Sequence, residues 1–120
     1  MNSGSYYGTE VDGKWWKRYR GKGFFTRGGG DYWMDETGFH FRKMLTATPF
    51  TIGWDEMVSV RIGKSHAGRW GFGRPLLTIE FSSDARPLCA GFYLTSEWSQ
   101  MEQIAGDIST KLSHLSDPPP

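Results

Sequence analysis

The feature that most constrains this fold is a single change of period. Along residues 31–94 apolar side chains recur at every second position in a series of short runs. From Thr95 onward they recur at every third or fourth. A period of two buries one face of a β-strand, and spacings of three and four bury one stripe of an α-helix. The chain must therefore cover several one-faced strands and one helix with a common core.

Residues 31–36 and 39–45 flank Thr37-Gly38, which predicts a hairpin whose glycine supplies positive φ. In the second strand Phe39, Phe41 and Leu45 share one face. His40 and Arg42 take the other, and Lys43 intrudes on the apolar face near the strand end. Pro49 opens a run in which Phe50, Ile52 and Trp54 point inward. Asp55-Glu56 then forms a polar corner, simplest as a strand end or a cap on a short turn. Across residues 57–64, Val58, Val60 and Ile62 alternate with Ser59, Arg61 and Gly63. Leu77, Ile79 and Phe81 alternate with Thr78 and Glu80, and Leu88, Ala90, Phe92 and Leu94 share the face of a returning strand.

Thr95 or Ser96 is the expected helix N-cap, with Glu97 in the first turn. Trp98, Met101, Ala105, Ile108, Leu112 and Leu115 follow at intervals of 3, 4, 3, 4 and 3, which makes one apolar stripe. Ser116-Asp117-Pro118-Pro119-Pro120 cannot continue a helix. The expected fold is mainly β with one C-terminal helix. It is a bent sheet or small barrel of six to seven antiparallel strands, with the amphipathic helix capping one open end.

A chain of 120 residues is most simply one domain. Its expected parts are a basic, aromatic lead-in over 1–30, a domain over 31–115 and a proline-rich tail over 116–120. The lead-in is partly disordered or an added strand, and residues 1–13, rich in Gly, Ser and Tyr, read as loosely ordered. Cys89 has no second cysteine to pair with, and its apolar strand makes it a buried, inert thiol. Three scattered histidines and one cysteine show no metal-ligand spacing, so no metal or cofactor is expected. The first residues carry no apolar leader, and no run approaches a membrane span, so the expected setting is the cytoplasm.

Net charge is +1, which makes no general electrostatic case for nucleic acid. The charge is blocked, however. Residues 1–27 hold six cations against two anions, and 28–60 hold two against five. Residues 61–86 hold five against two, and 87–120 one against four. Mutual pairing and solvation is the simplest outcome of such alternation.

The order of elements, with Gly38-Phe39-His40-Phe41-Arg42, the segment from Phe50 through Trp54-Asp55-Glu56 to Val60, Leu77-Thr78-Ile79-Glu80-Phe81, Gly91-Phe92-Tyr93-Leu94 and Trp98, resembles the pleckstrin-homology-like superfold. Within it the pattern is similar to the small bacterial pleckstrin-homology and GRAM-like domains, over residues 31–115. The resemblance implies a scaffold for binding headgroups, peptides or proteins. The basic hairpin with which eukaryotic members hold phosphoinositides is not matched, because residues 31–36 are acidic.

The segment from Lys64 to Pro75 is longer and more basic than that pattern requires. Its cations Lys64, Arg69 and Arg74, with Arg61 nearby, suit an anionic ligand, and glycines at 63, 68, 71 and 73 admit close backbone approach. Trp70 and Phe72 suit a membrane interface or a partner's pocket, or else fold back on the sheet. His66 is a candidate pH-sensitive contact. Trp15, Trp16, Lys17, Arg18 and Arg20 form a second basic, aromatic patch, or an extra strand.

The leading expectation is a non-catalytic module for an anionic surface or partner, cytoplasmic and peripheral to a membrane. The alternative is a protein–protein or self-association module anchored by Trp70 and Phe72. A small enzyme using His66 with a carboxylate ranks last, because Ser65 and His66 as strand neighbours point to opposite faces and no acid is identifiable to orient the pair.

Overall fold

The computed structural model describes residues 2–19, 28–44, 48–66, 69–71, 73–83 and 85–116. The strands are β1 (Asn2–Val11), β2 (Lys14–Arg18), β3 (Gly28–Met34), β4 (Gly38–Lys43), β5 (Phe50–Gly53), β6 (Met57–Gly63), β7 (Ser65–His66), β8 (Arg69–Trp70), β9 (Leu76–Ser83) and β10 (Arg86–Tyr93). One helix, α1 (Trp98–Ser116), follows. Seven strands form one bent antiparallel sheet in the order β5-β4-β3-β1-β10-β9-β6, and β2 adds to β1. The ends β5 and β6 do not pair, so the sheet stays open. β7 and β8 make a separate two-stranded ladder. The mainly β fold with one C-terminal helix is the architecture the periods predict.

The alternating residues supply the core. Phe39, Phe41, Phe50, Ile52, Leu77, Ile79, Phe81, Leu88, Ala90 and Phe92 are buried together with Tyr6. Phe92 lies 4.8 Å from Phe39 and 5.4 Å from Tyr6, and Tyr6 lies 5.0 Å from Phe50, between ring centroids. Such tilted pairs contribute about 0.5–1.5 kcal/mol each beyond their buried area. α1 lies against β6 and β9 and inserts Met101 and Ile108, both fully buried.

Several expectations change. Residues 2–11 are no loose lead-in: β1 is the central strand, paired with β3 on one side and β10 on the other. Val58 points outward at 66% exposure, because the register shifts between Met57 and Ser59 and a bulge there reverses its face. Gly38 has the positive φ expected of it, 157, and a Cβ there would also come 2.3 Å from the Ile52 carbonyl oxygen. Glu97 stands before the first turn, since its carbonyl accepts the Met101 N–H, and the Thr95 hydroxyl accepts the Glu97 N–H at 3.2 Å. Trp98 is exposed rather than part of the buried stripe. The side chain of Leu115 and the whole of Leu45 lie outside the described residues.

Three arginine ion pairs do not join a basic block to an acidic one: Arg42 with Asp31 at 3.6 Å and Arg61 with Glu80 at 3.5 Å each lie within one block, and Arg86 with Asp12 at 3.5 Å links the two basic blocks. All are largely solvated and contribute little to stability. No described helix is long and apolar enough to cross a membrane.

Candidate functional site

Across β9, β10 and β1, Glu80 lies opposite Cys89 and Cys89 opposite Glu10. Two residues along, Thr78 lies opposite Gly91 and Gly91 opposite Gly8. The period of two sets both rows on one face, opposite the core residues Ile79, Ala90 and Leu88. The first row carries carboxylates and a thiol. The second carries two glycines and is therefore a shallow groove. β1 bulges here, with a register shift between Tyr6 and Gly8, and Gly8 takes φ 106, a conformation that favours glycine.

The β7–β8 hairpin drops one side chain into that groove. His66 is only 4% exposed, and a Cβ built on Gly91 would come 2.2 Å from its Cδ2. His66 Nε2 lies 3.0 Å from the Gly8 carbonyl oxygen, which can only accept, so Nε2 carries a proton. Nδ1 is thereby turned toward Glu10, 3.6 Å from Oε2. Cys89 completes the group: one ligand atom from each of Glu10, His66 and Cys89 lies within 4.8 Å of the others. Burial pushes the Cys89 thiol up to about 12, reinforced by the Glu10 charge, while Arg61 acts the other way. Glu10, Cys89, Glu80 and Arg61 line a cavity of about 460 Å³ that opens beside the group.

The sequence-predicted residues divide. His66 is a buried anchor rather than an exposed contact. Arg61 is exposed and faces Glu80. Lys64 is exposed at the start of the hairpin, and Arg74 is exposed at its end, with its guanidinium 5.5 Å from the Tyr93 ring centroid. The Gly71 N–H donates to the Lys64 carbonyl, and the Arg74 N–H to that of Gly71. Trp98 Nε1–H donates to the Gly73 carbonyl at 3.2 Å and ties the helix start to the hairpin. Arg69 and Trp70 form β8, but their side chains, like Phe72 as a whole, lie outside the described residues. In the second patch Lys17 is exposed; the side chains of Trp15, Trp16 and Arg18, and all of Arg20, lie outside as well.

A second polar group was not legible in advance. The Asp35 carboxylate accepts the Thr37 hydroxyl at 2.6 Å, the Thr37 N–H at 2.8 Å and His40 Nε2–H at 2.8 Å. The Thr37 hydroxyl above all, then His40, hold the Asp35 carboxyl well below the usual carboxylate range. His40 Nδ1 meets the Thr51 hydroxyl at 2.7 Å, and its ring stacks 5.1 Å from Trp33. An acid therefore orients a histidine here, at His40 and not at the His66 that the sequence singled out. Acid, imidazole and hydroxyl in series resemble a nucleophilic triad. Here, though, the carboxylate closes the β3–β4 turn and Thr51 lies on the edge strand, so the series ties turn, β4 and β5 together. Asp55-Glu56 likewise serves a turn, Glu56 accepting the Gly53 N–H at 3.1 Å.

Comparison with protein-family models, with curated proteins and with solved structures finds no match to this chain.

Proposed function

We propose that the chain is a non-catalytic, pleckstrin-homology-like binding module that docks on an anionic membrane surface through the hairpin of residues 64–75. The observation that carries this reading is the pairing of exposed charge with a fastened backbone. Lys64 and Arg74 are exposed at the two ends of a segment held by His66 from below and by Trp98 at its exit. Cations on a fastened scaffold lose less conformational freedom on contact than cations on a free loop. The proposed setting is the cytoplasm, at the periphery of a membrane.

The attraction acts through solvent and is screened by salt. Co-sedimentation with vesicles of neutral lipid and of neutral lipid mixed with phosphatidylserine tests it. Binding is expected only to the anionic vesicles, falling as salt rises toward about 1 M, and weakened when Lys64 and Arg74 are both replaced by Glu. Equal binding to both vesicle types, or binding to neither, overturns the proposal.

A further inference from the structure

We propose that Glu10, His66 and Cys89 are the ligands of a divalent transition-metal ion of zinc's class. The donor set is one thiol, one imidazole and one carboxylate, each a ligand type that zinc accepts. The spacing suits a small tetrahedral centre. His66 Nδ1 and Glu10 Oε2 are 3.6 Å apart. Two ligand atoms each about 2.1 Å from a tetrahedral ion lie about 3.4 Å apart. All three ligand atoms lie within 4.8 Å of one another, so side-chain adjustments of about 1 Å close the set.

The surroundings match what metal-binding histidines require. The ring nitrogen remote from the ion donates to a backbone carbonyl, here Gly8, which fixes the orientation of Nδ1. Glu10 and Cys89 come from adjacent, directly paired strands, and His66 from the hairpin that crosses them. The cavity of about 460 Å³ lined by Glu10 and Cys89 provides access and leaves a fourth coordination position open. Charge also balances. Binding breaks the Cys89 S–H bond, forms a sulfur–metal bond and releases the proton to solvent through the cavity. One thiolate and one carboxylate then neutralise the 2+ ion. The ion would join β1 and β10 to the hairpin. The inference rests on this geometry alone and is independent of membrane docking.

Cobalt(II) titration of the full chain tests it, because a thiolate ligand gives a sulfur-to-cobalt charge-transfer band. Cys89 is the sole cysteine, so the band reports that residue. The expected result is one cobalt per chain, a charge-transfer band with ligand-field bands of tetrahedral intensity, and loss of all of them on adding zinc. Cys89→Ser removes the charge-transfer band, and Glu10→Gln weakens cobalt binding by about tenfold or more. Zinc is also expected to raise Tm in the unsubstituted chain and not in Cys89→Ser. A folded chain that shows no charge-transfer band at millimolar cobalt overturns the proposal, whatever the variants do. So does a band whose cobalt affinity is unchanged in both Glu10→Gln and His66→Gln.

Discussion

A single methyl group at residue 91 would occupy the space of the His66 imidazole, since the added carbon would lie 2.2 Å from Cδ2. Gly91→Ala is therefore expected to expel His66 and leave the Gly8 carbonyl without its donor, at a cost of about 1–3 kcal/mol. Urea unfolding measures the loss, and hydrogen exchange should show it concentrated at Ser65 and His66; an unchanged midpoint would count against the anchor. Asp35 makes a different prediction, one of pH. Its carboxyl is held well below the usual range by the Thr37 hydroxyl and then by His40. A depressed folded value means that the contribution is complete above the unfolded value of about 4 and is lost as pH falls further. Asp35→Asn should flatten the fall in stability between about pH 4 and pH 2, read from denaturant midpoints across a pH series. Coincident slopes for the two chains would show that the turn bonds add nothing. At this scale the sequence was half legible. Asp35 and Thr37 are near neighbours at a predicted turn. The Thr51 partner of His40 and the Gly8 partner of His66 come from other strands, and cross-strand register is not written in either strand's own pattern.

At the scale of elements, strands with strict alternation were legible and those without it were not. β1 escaped because its buried positions include Tyr6 and Thr9, whose hydroxyls bond each other, and because glycines interrupt it. Pairing on both sides and burial supplied by its neighbours make it a strand, and neither is visible as hydrophobic period. β7 and β8 escaped because two residues each are too few to carry a period. The helix was legible except at its start, where Trp98 bonds the hairpin instead of entering the core. Its hold on the sheet lies deeper, at Met101 and Ile108, both with 0% exposure. Ile108→Ala should cost about 2–5 kcal/mol by thermal or chemical unfolding, far more than Gln103→Ala on the exposed side. Similar losses at the two positions would mean that α1 is not docked through this stripe.

Over the whole molecule, the two faces of the sheet divide the labour. One carries the aromatic core beneath α1. The other carries Glu80, Cys89, Glu10 and the glycine groove, where changes alter the site without opening the core. The alternating strands of residues 31–94 and the terminal helix were legible because burial demands them. The site was not, because its ligands Glu10, His66 and Cys89 are separated by long stretches of chain and meet only after the sheet has formed. The placement of β1 has a further consequence, and it concerns time. Ser5 pairs with Tyr93, so the middle of the sheet joins residues far apart along the chain. As the polypeptide is synthesised, β1 can pair with β3 early, but its edge toward β10 stays open until residues 86–93 have emerged. Non-local pairing of this kind sets folding in the range of roughly milliseconds to seconds. Stopped-flow refolding monitored by tryptophan fluorescence should show that pace, and a microsecond phase carrying the full amplitude would contradict it. The centre of the sheet is thus completed only when β10, the strand furthest along the chain, arrives.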